Sequence, residues 1–150
     1  IGHLLYNALA LALFGTILEH IVGKKKFLGI FFVSGLLASI GATFLYHSAL
    51  GASGAIFGVM GALAMLRPRM QVWVAYFPMP MIVAVVVWTL VDSVRLFLPT
   101  GIASLAHLVG LFFGVGVGLY LRKEFGEKKH AAYPLHEDAV RLWEDKWMKK

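Results

Sequence analysis

The sequence predicts an all-α, polytopic membrane protein, a helical bundle with about five transmembrane helices, and three observations carry that prediction. Of the 150 residues, 59% are hydrophobic and 15% are charged, against about 25% charged in an ordinary soluble domain. The mean hydropathy is +0.77. Apolar runs of roughly 20 residues, the length of helix that crosses the hydrocarbon core, recur along the chain. The net charge of +6 does not indicate a nucleic-acid partner, because the basic residues sit in short clusters between the apolar runs, as in loops at a cytoplasmic membrane face. There are no cysteines, which excludes disulfides, thiol catalysis and cysteine–zinc sites.

The first apolar segment runs from about His3 to Val22 and the second from Phe27 to Tyr46. The third, Ser53 to Leu66, is short, and Pro68 marks its end. The fourth runs from about Met79 to Leu98, with Pro78 and Pro80 at its opening, and the fifth from about Ile102 to Leu121. Residues 1–121 are read as the membrane core and 122–150 as a charged tail. Eight basic and six acidic residues lie in that tail. Pro134 followed by Glu137 and Asp138 resembles a helix start. Val140, Trp143 and Trp147 then share one face, as in an amphipathic helix lying on the interface; a loosely ordered tail is the competing reading.

Lys24–Lys26, Arg67 and Arg69, and Arg122 and Lys123 follow the first, third and fifth segments. The positive-inside rule places these three connections, and the C-terminus, in the cytoplasm. Arg95 is the exception, and its long stem lets it snorkel to the outer interface. Residue 1 then lies on the outer side at the start of a membrane segment, so a further segment is expected upstream. The basic lead of a secretory signal is absent.

Polar groups inside apolar segments are few, and each is costly unless paired or used. Ser53 opens the third segment within Gly51-Ala52-Ser53-Gly54, followed by Gly58 and Gly61. A helix N-terminus offers free N–H groups that can hold a developing negative charge. The plain alternative is a small-residue packing face with Ser53 as its cap. His107 stands in Ala106-His107-x-x-Gly110-x-x-x-Gly114-x-x-x-Gly118, on the stripe where three glycines open a groove for a neighbouring helix. If the two glycine faces meet, His107 reaches Ser53, and a neutral imidazole is the base that a serine nucleophile needs. His3 and Asn7 share a face near the outer end of the first segment and could donate to an oxyanion or satisfy loop carbonyls. Asp92 lies three residues before Arg95, so an interfacial ion pair explains it more cheaply than a catalytic carboxylate. His20 and His47 read as interface residues, and no His-Glu-x-x-His metal motif is present.

Taken together, His3-x-x-x-Asn7, Gly15-x-x-x-Glu19, Gly51-x-Ser53-Gly54 and Ala106-His107-x-x-Gly110-x-x-x-Gly114 resemble the rhomboid family of intramembrane serine proteases, over roughly residues 1–121. The resemblance implies a six-helix core whose first helix, with the membrane-lying loop after it, would lie upstream of residue 1. It implies Ser53 as nucleophile and His107 as general base and acid, a dyad without a catalytic carboxylate. His3, Asn7 and the Ser53 N–H would form the oxyanion hole. Gly51, Gly54, Gly110 and Gly114 would be structural supports, Glu19 would tie down the first outer loop, and Phe57 would stand where many relatives carry a tyrosine stacked on the histidine. Phe57 keeps the ring without the hydroxyl.

The expected activity is therefore cleavage of transmembrane protein substrates within the bilayer, without metal or cofactor. The expected location is a prokaryotic plasma membrane. The rival from another class is a non-catalytic rhomboid-like protein that binds membrane clients and passes them on. Retention of both Ser53 and His107 argues against it. A small-solute transporter would need polar groups lining a path, whereas here they converge near one side.

Overall fold

A helix made almost entirely of small and apolar residues can be buried on every side, and the third apolar segment takes that position. A computed structural model of the chain describes residues 2–45, 52–74, 77–98 and 103–125. Its elements are α1 (Gly2–Ala10), a π-helical turn (Leu11–Gly15), α2 (Thr16–Val22), α3 (Lys24–Thr43), α4 (Ser53–Leu66), β1 (Gln71–Val74), β2 (Phe77–Pro80), α5 (Met81–Arg95) and α6 (Ser104–Phe125). Gly51, His47, the turn around Pro99–Gly101 and the expected interfacial helix with Val140, Trp143 and Trp147 lie outside the described residues.

The fold is a mostly helical membrane bundle. Among the described residues three stretches, Gly2–Val22, Lys24–Thr43 and Ser104–Phe125, are long and apolar enough to cross a membrane unaided. α4, with 14 residues, is shorter. It packs against α1, the π turn, α2, α3, α5 and α6. Val59, Ala62, Leu63, Ala64 and Leu66 are fully enclosed. The surrounding helices turn large apolar side chains outward, among them Leu4, Phe32, Leu36 and Phe112, as a lipid-facing surface requires.

The closest approach is between α4 and α6. A Cβ added at Gly110 would collide with the Gly54 carbonyl oxygen, and one at Gly114 with that of Gly58. The two backbones therefore touch over successive turns, a separation that any side chain at these positions would prevent. α3 completes a three-helix unit, with Ala38 packed on Gly54.

Lys26, Arg67 and the end of α6 meet at one end of the bundle. Lys26 Nζ binds Glu124 at 2.8 and 2.9 Å and lies 4.1 Å from the Phe125 ring centroid. Arg67 Nη1 donates to the Phe125 carbonyl at 2.6 Å and to that of Leu66 at 2.8 Å. Ser53, at the opposite end of α4, faces the other side of the bundle. Two helix boundaries shift for the same reason. α3 begins at Lys24 rather than near Phe27, and α6 continues to Phe125 rather than Leu121. In each case a charged end of the helix gains the Lys26–Glu124 pair. Gly23, between α2 and α3, adopts φ 83° and ψ 158°, a conformation essentially confined to glycine.

The chain is not helical throughout. Pro78 and Pro80 do not open a helix at Met79 but lie in β2 of an antiparallel hairpin, with Trp73 opposite Pro78 and Gln71 opposite Pro80. The Val-Trp-Val alternation of β1 favours a strand, and β2 is an edge strand, where proline is tolerated. Met81 N–H to the Met70 carbonyl at 2.8 Å and Ile82 N–H to that of Pro68 at 3.1 Å close its base. α5 accordingly starts at Met81.

Gly114→Ala is expected to destabilise the bundle by about 1–3 kcal/mol through overpacking, read as a lower melting temperature in detergent. Gly116→Ala, where an added Cβ meets nothing within 4 Å, leaves the melt unchanged or slightly raised.

Candidate active site

Ser53 is the first residue of α4, after Ala52 with φ −80° and ψ 5°. The first intrahelical bond here runs from Ile56 N–H to the Ala52 carbonyl at 3.0 Å. The N–H groups of Ser53, Gly54 and Ala55 therefore lack intrahelical acceptors and mark the positive end of the helix dipole. His107 sits one turn inside α6, with its own N–H bonded to the Ala103 carbonyl at 3.2 Å. The Gly54–Gly110 contact, one residue beyond Ser53 and three beyond His107, sets these two turns side by side.

The consequence is a direct contact: Ser53 Oγ lies 2.9 Å from His107 Nε2. The His107 side chain is 12% exposed, so the pair is sheltered without being sealed. Phe57, one turn along α4 from Ser53, stacks on the imidazole at 4.3 Å between centroids and 7° between planes. Its other edge meets Trp88 of α5 at 6.4 Å and 61°, and Trp88 in turn meets Phe14 at 6.4 Å and 82°. An unbroken run of rings thus fixes the plane of the imidazole and fills the space beside it.

Asp92 departs from the sequence expectation. Its ion pair with Arg95 exists, with Nη1 3.5 Å from Oδ1, but the carboxylate is 2% exposed rather than interfacial. Its shortest contact is from Oδ2 to His107 Nδ1, at 2.9 Å. Ser104 Oγ donates to Oδ1 at 3.3 Å. The signal for this was present in the sequence. Met81, Ala84, Val85 and Asp92 are the buried residues of α5, and at spacings of 3, 4, 7 and 11 they form one stripe that the aspartate continues. Reading Asp92 against Arg95 alone considered its own helix and left out the helix that arrives opposite.

His3 and Asn7 lie at the end of α1 away from the Lys26–Glu124 cluster, on the side of the bundle that holds Ser53. Asn7 Nδ2 donates to the His3 carbonyl at 2.9 Å and lies 3.1 Å from His3 Nε2. Among the described residues neither side chain bonds to Ser53 or His107; the Asn7 amide nitrogen is turned to His3. Glu19 is half-buried in α2, and its carboxylate has no hydrogen-bond or ionic partner among the described residues. No group of three or more His, Asp or Glu side chains among the described residues is placed to hold a metal ion.

Comparison with known proteins identifies the lineage. The family model described as "Rhomboid domain" matches residues 1–124. YdcA of Bacillus subtilis, which carries a rhomboid-protease name, is 32% identical over 115 residues, covering 75% of this chain and 56% of the relative. Rhomboid protease GluP, also of Bacillus subtilis, is 46% identical over 65 residues, covering 42% of this chain and 13% of the relative. Rhomboid protein 1, mitochondrial, of Saccharomyces cerevisiae is 31% identical over 134 residues, covering 81% and 38%. The chain thus spans about half the length or less of the curated relatives it matches. No solved structure gives a significant match. With the family model spanning most of the sequence, and with these relatives, the chain belongs to the rhomboid family of integral membrane proteins.

Proposed function

We propose that the chain is a serine endopeptidase that hydrolyses peptide bonds in or beside the transmembrane helices of other membrane proteins. The observation that supports this most directly is the 2.9 Å contact between Ser53 Oγ and His107 Nε2, a nucleophile within hydrogen-bond reach of its base. In this reading Ser53 Oγ attacks the scissile carbonyl carbon while His107 Nε2 takes the hydroxyl proton. The tetrahedral intermediate collapses with cleavage of the C–N bond, and His107 passes the proton to the departing amine. A water molecule, deprotonated by His107, then attacks the acyl ester. The ester C–O bond breaks, Ser53 recovers its proton, and the new carboxylate leaves.

The negative oxygen of each intermediate would be held by the Ser53 N–H at the α4 terminus and by His3 and Asn7. A well-placed donor contributes roughly 3–4 kcal/mol. Asn7 must first turn from the His3 carbonyl to serve. Phe57 supports the reaction by holding the imidazole ring in plane. Gly54, Gly110 and Gly114 support it by permitting close approach, and Glu19 by anchoring the first outer loop. An intact substrate helix occupies its own carbonyls, so favoured substrates carry small or helix-breaking residues where the helix must open. Residues 1–121 would form this catalytic core and 122–150 a cytoplasmic tail, with the Lys26, Arg67 and Lys123 end facing the cytoplasm of a prokaryotic cell.

A fluorophosphonate probe is expected to label the full-length protein, and both Ser53→Ala and His107→Ala abolish labelling; Ser53→Ala retains the wild-type melting temperature, whereas His107→Ala lowers it, because the ring stacked on Phe57 and bonded to Asp92 is lost. Labelling that persists in Ser53→Ala overturns the assignment. Topology is read separately. Because the chain has no native cysteine, Lys25→Cys and Lys123→Cys are each expected to react with an impermeant maleimide only after the cells are permeabilised.

A further inference from the structure

Asp92 is an ionisable group almost wholly removed from solvent within an apolar bundle, a placement that is costly unless its charge is compensated. Among the described residues three donors converge on it from two helices. His107 Nδ1 faces Oδ2 at 2.9 Å, whereas Ser104 Oγ and Arg95 Nη1 both face Oδ1, at 3.3 and 3.5 Å. The donors are therefore divided between the two oxygens: one belongs to the histidine and the other to the supporting pair. Arg95 offsets the carboxylate charge and, with Ser104, fixes the rotation of the carboxyl plane.

We infer that Asp92 is a positioning residue for the reaction proposed above, holding His107 in the tautomer that carries its proton on Nδ1 and leaves Nε2 free to accept the Ser53 proton. The inference rests on the serine-protease reading and goes beyond a two-residue dyad. A carboxylate accepts hydrogen bonds and donates none, so at 2.9 Å from Nδ1 it favours a proton on that nitrogen. Nε2 is then a lone-pair acceptor aimed at Ser53 Oγ. When Nε2 takes the serine proton, the ring becomes an imidazolium whose positive charge faces Asp92 across the same hydrogen bond. Asp92 keeps its charge throughout, and no proton moves onto it. Among the described residues α4 presents Ser53 and Phe57 to the ring, and the part of α3 that packs on α6 carries no titratable side chain.

This division of donors predicts how an isosteric change fails. In Asp92→Asn the amide oxygen is expected to remain on the side of Ser104 and Arg95, because the Arg95 guanidinium can only donate and the Ser104 hydroxyl already donates there. The amide NH2 then points at His107 Nδ1, which has to become an acceptor. The ring proton moves to Nε2, where it blocks acceptance from Ser53. Shape and packing are retained and the base is lost.

The test uses the full-length protein and the fluorophosphonate, whose P–F bond breaks as Ser53 Oγ bonds to phosphorus and fluoride departs. In Asp92→Asn the maximal labelling rate is expected to fall by about 10²-fold or more, with the half-saturating probe concentration within about twofold of wild type. Nitrogen-15 histidine spectra, assigned by difference with His107→Gln, are expected to show His107 protonated on Nδ1 in the wild type. That measurement stands even where Asp92→Asn does not fold. An Nε2-protonated His107 in the wild type overturns the inference, and so does a folded Asp92→Asn that labels at the wild-type rate. If Ser53→Ala is inert in the same assay, such a result removes the role of Asp92 alone. If Ser53→Ala still labels, the protease reading falls and the role of Asp92 falls with it.

Discussion

The meeting of Ser53 and His107 depends on a contact that involves no side chain at all. α4 and α6 touch through Gly54 and Gly58 on one side and Gly110 and Gly114 on the other. In a bilayer there is little hydrophobic force drawing one apolar helix to another, so close backbone packing and local hydrogen bonds must supply the association. Glycine permits a helix separation too small for ordinary residues. That separation places Ser53 Oγ and His107 Nε2 at hydrogen-bond distance although 54 positions of sequence lie between them. A serine hydroxyl and an imidazole have short reach, and helices a side chain further apart would leave them unconnected.

The surroundings of the pair divide into an apolar wall and a polar one. Phe57, Trp88 and Phe14 form the apolar wall, a run of rings drawn from α4, α5 and the π turn. Asp92, Ser104 and Arg95 form the polar wall, on α5 and the start of α6. α5 therefore contributes to both walls, one turn apart, through Trp88 and Asp92. The opposite end of the bundle carries the Lys26–Glu124 and Arg67–Phe125 contacts, so charges are concentrated at the two ends and nearly absent between them. This is the distribution that a low-dielectric slab imposes on a helical bundle.

Much of this was legible in the sequence, and the part that was not has a common physical cause. The bounds of α4 were readable to the residue, because the serine, the glycines and Pro68 punctuate it. The meeting of Ser53 and His107 followed from two glycine faces that each required a close partner. The β1–β2 hairpin was missed because Val72, Trp73 and Val74 form too short an apolar run to register as a membrane segment, and Pro78 and Pro80 read as the opening of a helix rather than as part of an edge strand. The partners of Asp92 were missed because His107 and Ser104 come from α6. A residue's own helix reveals the apolar stripe it shares, whereas its hydrogen-bond partners are decided by what lies across from that stripe. Asn7 shows the reverse situation: its bonds to His3 are local, within a single turn, and follow from the i, i+4 spacing.

The π-helical turn at Leu11–Gly15 divides the first membrane crossing into two pieces with separate rotational settings. A wide turn takes up one residue more than an α turn, which amounts to about 100° of rotation about the axis. The azimuth of His3 and Asn7 is thereby uncoupled from that of Leu18 and Glu19. Counting residues along a straight helical wheel from Leu18 and Glu19 would aim the His3 imidazole and the Asn7 amide about a quarter-turn from their actual heading. In this chain the direction in which those two side chains point is a property of five apolar residues that carry no reactive group.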